Sequence, residues 1–147
     1  MSRSLSVRLQ TVVDALPLRD GMRVLEIGCG TGAAAREVAR RVGHGHVHAI
    51  DRSAKSIAIA VAGSQAEIGA GRLSFQQIAV EDFELPEGEP RFDLAFACRV
   101  GALDGRHPAA GQRALDRIAA ALTPTGRLLI DAGDPLSEVR LPRRSER

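Results

Sequence analysis

The 147-residue sequence has no tryptophan and no tyrosine, four phenylalanines, two cysteines, and one lysine, Lys55, among its 20 Lys and Arg residues. So few aromatics leave little from which to build a base-stacking platform for single strands. The net charge of +2 is too small to argue for nucleic acid of any kind. Cys29 and Cys98 form no disulfide framework and no CxxC metal spacing, so both are read as reduced thiols. No stretch approaches the roughly 18 apolar residues of a membrane span. The opening "MSRSLSVRLQ" lacks the apolar segment and cleavage site of a signal peptide. A cytoplasmic location without a membrane partner is therefore expected. Arg in place of Lys, with abundant Ala and Gly, points to a GC-rich bacterial genome and says nothing of function.

What is present fits one domain, residues 1–147, with enough chain for a hydrophobic core. Short apolar runs alternate with helical periods, the pattern of an α/β fold with a mostly parallel sheet. Leu5, Leu9, Val12 and Leu16 predict a helix within residues 1–20, ended by Pro17. "MRVLEIG" is apolar on both faces and reads as a buried strand. Further strands are expected at "HVHAID", "GRLSFQQIAV", "FDLAFAC" and "RLLID". Helices are expected at "AAAREVARRV", from Ser53 to about Ile68, and through Leu115, Ile118 and Leu122 to the stop at "TPTG". "EDFELPEGEP" reads as an acidic loop, and 132–147 as an irregular basic tail.

The chemistry concentrates in "VLEIGCGTG". Gly28, Gly30 and Gly32 lie between a strand and a helix, where glycine lets the backbone turn and a ligand come close. The following helix offers its unpaired N–H groups to an anion. Asp51 ends the second strand, 21 positions after Gly30, where a carboxylate can accept from both hydroxyls of a ribose. "GCGTGA" also scores as a variant dinucleotide fingerprint, which leaves a nicotinamide oxidoreductase as one reading. Against it stands Glu26, because a carboxylate beside the glycines repels a pyrophosphate and suits a ligand with a cationic amino group.

These residues resemble a known family, the class I S-adenosylmethionine-dependent methyltransferases. "VLEIGCGTG" is similar to its first motif and "VHAIDRS" to its second. "RFDLAFA" looks like its fourth, and "ALTPTGRLLI" is similar to its "LxPGGxLxI" segment. The resemblance runs from Val24 to Asp131. It implies a Rossmann-like three-layer sandwich, and S-adenosyl-L-methionine as cofactor with S-adenosyl-L-homocysteine as product. It further implies that Gly28, Cys29, Gly30, Thr31 and Gly32 line the methionine moiety and that Glu26 helps orient its amino group through the loop or water. Asp51 would hold the ribose, with Arg52 and Ser53 flanking the adenosine. "QIAVEDF" aligns with "QGDAEDL", so the family's adenine-contacting Asp is Ala79 here, which leaves that contact to the backbone at Val80, to Glu81 or to Asp82.

Cys98 and Arg99 follow the fourth strand, beside the expected methyl-transfer position. No "NPPY"-like tetrad and no prolyl-cysteine pair is present. Arg99, Asp104 and His107 are the catalytic candidates: Arg99 for a carboxylate on an acceptor, His107 for proton abstraction. Methyl transfer from a sulfonium needs chiefly positioning, and His107 beside Pro108 also fits a helix start. His44, His46 and His48 alternate, but lack Cys or carboxylate partners at metal spacing, so no metal is expected.

The family's last two strands form an antiparallel hairpin, and nothing in 132–147 reads as one. The expected sheet order is therefore 3-2-1-4-5, with the fifth strand an edge that needs cover. The tail folding back, or a symmetric homodimer through that edge, would supply it. The expected activity is methyl transfer by direct displacement to a small-molecule acceptor, held by the first helix and the "RVGALDGRHP" loop. A cofactor-binding module that has lost catalysis and serves a partner is the alternative.

Overall fold

The computed structural model describes residues 5–98, 100, 103 and 108–142. The elements are α1 (Val7–Ala15), β1 (Arg23–Ile27), α2 (Ala33–Arg41), β2 (His46–Asp51), α3 (Ala54–Ala62), α4 (Gln65–Gly69), β3 (Leu73–Gln77), a 3-10 turn (Val80–Asp82), β4 (Phe92–Ala97), α5 (Pro108–Ala121), β5 (Leu122–Ile130) and β6 (Ser137–Val139). The sheet order is β3-β2-β1-β4-β5-β6, parallel except for the antiparallel β5–β6 pair. A Rossmann-like layered architecture with the strand order 3-2-1-4-5 is therefore present, extended by a sixth strand.

The two sheet faces bury different sets. Val24, Val47, Ala49, Leu94 and Phe96 pack under α1 and α2 through Val13, Leu16, Ala35 and Val38. Leu25, Ile27, Ala95, Ala97 and Leu128 pack under α5 and the 3-10 turn through Ala114, Ile118, Val80 and Phe83. Successive strand residues point to opposite faces, so a strand covered on both must be apolar where it is buried, as β1 is from Val24 to Ile27 apart from Glu26.

Four expectations need correction. The hairpin is not missing: Ser137, Glu138 and Val139 pair with Ile130, Leu129 and Leu128. Residues 137–139 of the tail thus fold back over the β5 edge, one of the two ways in which that edge was expected to be covered. The helix expected from Ser53 to Ile68 is two, α3 and α4, broken where the buried Ser64 hydroxyl accepts from an Arg36 guanidinium at 3.0 Å. The helix through Leu115 ends at Ala121, because Leu122 pairs with Phe92 and opens β5. The third strand stops at Gln77, short of Val80, which enters the 3-10 turn.

Candidate functional site

All parallel strands end on the same side, and there a cavity of about 1000 Å³ opens. A site at the carboxyl ends of an open α/β sheet, where the strand order reverses between β1 and β4, is the expected place for a ligand in such folds. The loop after β1 crosses its floor. Gly28 and Cys29 donate their backbone N–H groups to the Ile50 carbonyl at 2.8 and 3.0 Å, which folds the loop back over the end of β2.

Asp51 closes β2 and fixes this loop in turn. One carboxylate oxygen accepts from the Gly30 N–H at 2.8 Å and the other from the Ser53 N–H at 2.9 Å. A carboxylate oxygen has two acceptor positions, so Asp51 keeps capacity for hydroxyl donors in the cavity it lines. The Ser53 side chain caps α3 by accepting from the Ser56 N–H at 3.1 Å and does not line the cavity. Its expected place beside a ligand is therefore corrected to a support beneath Asp51.

Gly30 and Gly32 serve different ends. A Cβ on Gly30 would meet nothing within 4 Å, so its φ of +54° is the main constraint and the space beside it stays open. Gly32 has φ +90°, and a Cβ there would lie 3.1 Å from the Phe75 ring and 3.2 Å from Ala60. It caps α2 and lets that helix sit close to β3 and α3, and it does not line the cavity, contrary to expectation. Gly32→Ala is expected to lower stability by about 1–3 kcal/mol, from the left-handed conformation and overpacking together. Urea denaturation measures this; a change below a few tenths of a kcal/mol would show that Gly32 is dispensable for packing.

Glu26 is the unusual group. It sits on β1 between Ala49 and Phe96, is 2% exposed, and lines the cavity. Its Oε1 is buried without a hydrogen-bond partner. Burial, with the nearby Asp51 carboxylate adding to it, pushes its carboxyl up to about 8. Burial thus favours the neutral carboxyl, and a cationic donor placed beside it would favour the ionised form and pair the buried oxygen. The Cys29 thiol is pushed far above its usual range by the same burial and by the Glu26 and Asp51 carboxylates. It donates weakly to the Gly30 carbonyl at 3.7 Å, which makes it a packing residue and not a thiolate nucleophile.

Of the other expected residues, Gly28, Thr31, Arg52, Val80, Glu81 and Cys98 line the cavity. Ala79 lines it too, while Asp82 instead faces Arg113 at 3.0 Å. Arg52 approaches Glu81 at 4.0 Å from across the cavity mouth. Arg99, Asp104 and His107 lie outside the described residues. Sequence reasoning did not single out Ser6, Arg8 and Leu9 of the α1 segment, which wall the cavity from above. No local signal marks them, because their place depends on how α1 lies across the sheet ends.

The alternating histidines are accounted for elsewhere. His46 contacts the Gly71 carbonyl and Ser74, and His48 contacts Ser74 and Gln76, all at 2.7–3.0 Å. Each ring nitrogen thus has a polypeptide partner on the β2–β3 face. Burial pushes the His48 pKa down, against the opposing pull of Gln76. No group of three or more metal-capable side chains occurs among the described residues.

Comparison with known proteins places this geometry. A family model described as a methyltransferase domain matches residues 24–126. An O-methyltransferase from Aspergillus nomiae is 32% identical over 146 residues, covering 95% of this chain and 58% of that relative. Phosphoethanolamine N-methyltransferase 2 of Haemonchus contortus, solved with phosphomonomethylethanolamine and S-adenosylhomocysteine, superposes with a TM-score of 0.66 at 28% identity, covering 84% of this chain and 27% of that one. The cyclase SpnF superposes with a TM-score of 0.67 at 29% identity, covering 83% of this chain and 42% of that one. The chain thus spans little more than half of the matched O-methyltransferase, and less of the two structures.

Proposed function

The chain belongs to the class I S-adenosylmethionine-dependent methyltransferase family, and from that premise we propose that it transfers a methyl group from S-adenosylmethionine to a small-molecule acceptor. The observation that carries the cofactor assignment is Glu26, buried at the cavity wall with a partnerless oxygen. The ammonium of a methionine moiety supplies the donor that this carboxyl lacks, whereas a pyrophosphate supplies only repulsion. Asp51 accepts from the ribose hydroxyls while holding Gly30, so one carboxylate both shapes the loop and reads the sugar.

The remaining residues divide the ligand between them. Gly28, Cys29, Gly30 and Thr31 border the methionine moiety, Arg52 flanks the adenosine, and Val80 and Glu81 border the adenine, with Ala79 leaving that contact to backbone and packing. Cys98 lies at the end of β4 beside the reacting methyl. Arg99, Asp104 and His107 remain the proposed catalytic candidates. When bound, the cofactor supplies a methyl group already activated on a sulfonium. What this chain contributes is alignment and exclusion of water, the main requirement of an in-line displacement.

We read residues 1–147 as one cofactor-binding domain with a cytoplasmic location. No helix among the described residues is long and apolar enough to cross a membrane. A second reading, cofactor binding without methyl transfer, draws support from SpnF, a similar fold that carries cyclase chemistry. Calorimetric titration of the protein with S-adenosylhomocysteine and with NADH tests the proposal. Micromolar or tighter binding of the first and none of the second is expected. NADH binding would return the oxidoreductase reading. Tight S-adenosylhomocysteine binding with no acceptor-dependent turnover across a broad panel would favour the second reading.

A further inference from the structure

We propose that Arg8 is an oxyanion receptor of this cavity, taking a carboxylate or phosphate of a bound small molecule, and that Asp131 is the positioning residue that aims it. The inference rests on the cofactor reading above and goes beyond it. Arg8 lies in the first turn of α1, whose start is pinned by the Ser6 hydroxyl accepting from the Leu9 N–H at 3.2 Å. Ser6, Arg8 and Leu9 all line the cavity. The Arg8 guanidinium pairs with Asp131, just past the end of β5. Asp131 is itself held, because its N–H donates to the Ala97 carbonyl at 3.2 Å and its side chain is 13% exposed. A cation on a helix is thereby tied to a carboxylate held at the end of the sheet.

The charges around the cavity give the pairing its meaning. Among the described lining residues, the ionisable side chains other than cysteine are Arg8, Glu26, Asp51, Arg52 and Glu81. Arg52 and Glu81 face each other, and Glu26 and Asp51 are acidic acceptors. On the α1 side the charged side chain is Arg8. A guanidinium carries five N–H donors in a planar fork, and the pair with Asp131 occupies one terminal nitrogen. The rest of the fork suits the two oxygens of a carboxylate or phosphate. A partly exposed ion pair adds little to stability by itself, so orientation is the better account of why Asp131 stands there.

Two ligands can bring that oxyanion: the carboxylate of the cofactor's own amino-acid moiety, and an anionic group on the acceptor. The experiment separates them. Affinities of wild type, Arg8→Ala, Arg8→Lys and Asp131→Asn are measured calorimetrically for S-adenosylhomocysteine and for 5′-methylthioadenosine, which lacks the amino-acid moiety. Inorganic phosphate and benzoate are then titrated into each protein saturated with S-adenosylhomocysteine. If the cofactor supplies the anion, Arg8→Ala loses at least tenfold for S-adenosylhomocysteine and less than twofold for 5′-methylthioadenosine. If the acceptor supplies it, S-adenosylhomocysteine affinity is unchanged, and Arg8→Ala loses at least tenfold of the wild-type affinity for phosphate or benzoate.

In either case Arg8→Lys recovers part of the loss, and Asp131→Asn shows the same ligand selectivity with a smaller effect. Circular dichroism melts serve as the fold control; α1 has one exposed face, so Arg8→Ala is expected to melt with wild type. Arg8→Ala within threefold of wild type for every ligand overturns the proposal while leaving the cofactor reading intact. Wild-type protein that binds neither nucleoside overturns both.

Discussion

Replacing Asp51 by Ala is expected to weaken S-adenosylhomocysteine binding by about 10²- to 10⁴-fold, the equivalent of two hydrogen bonds to a charged acceptor at about 1.5–3 kcal/mol each. The loss has two sources. Removing the carboxylate takes away the proposed ribose acceptor, and it also strands the Gly30 N–H, which Asp51 now satisfies at 2.8 Å. Asp51→Asn separates them: its amide oxygen can still hold one N–H of the loop, but it presents a donor to one of the hydroxyls. We expect Asp51→Asn to fall between wild type and Asp51→Ala in calorimetric affinity, with a thermal midpoint close to wild type. Affinity of Asp51→Ala within threefold of wild type would refute the ribose assignment.

The place of Asp51 at the cavity was legible in the sequence because it needs only a strand end and a fixed distance from the glycines. β1 and β4 were legible for a similar reason: burial on both faces forces an apolar run that no turn signal interrupts. β6 was not, because three residues, the first two of them exposed, are too few to carry a periodic signal. Its pairing is supplied by the open edge of β5, a tertiary partner. The break between α3 and α4 was hidden in an Ala-rich run, since its cause is Arg36, 28 residues away in the chain, reaching Ser64. The end of α5 was obscured because Leu122 continues the helical spacing of Leu115 and Ile118, yet belongs to the sheet.

The site divides in the same way. Residues in the loop after β1 and at the end of β2 follow from local motif spacing. Gly32 and Ser53 lay in those motifs, yet the structure uses them to hold α2 and α3 in place. Arg8 and Leu9 belong to the cavity only because α1 crosses the sheet ends, and a helix's periodicity does not say what its first turn covers.

Glu26 makes the sharpest conflict between stability and binding, and Glu26→Gln should expose it. The carboxyl, raised from 4.5 to about 8 by burial and then by Asp51, keeps its proton in the folded chain over a range where the unfolded chain has lost it. A raised folded pKa contributes stability below about pH 4.5 that is lost as pH rises to about 8. The full difference is on the order of 5 kcal/mol at 1.36 kcal/mol per pH unit. Gln carries no such titration. The free-energy gap between Glu26→Gln and wild type, measured by urea denaturation, should therefore be small at pH 5 and widen in favour of the variant toward pH 9.

Cofactor binding should run the other way. A ligand ammonium stabilises the ionised carboxylate, so wild-type binding releases a proton below pH 8 and tightens as pH rises toward it, by up to tenfold per unit. Glu26→Gln should bind more weakly and show no such slope, and its calorimetric enthalpy should no longer depend on the ionisation heat of the buffer. A variant that keeps the wild-type pH slope would place the titrating group elsewhere. If the stability gap widens with pH and the binding slope vanishes in Glu26→Gln, one buried carboxyl lowers the stability of the ligand-free fold in order to select a cationic ligand. A well-packed apolar residue at position 26 would make a more stable protein and a worse receptor.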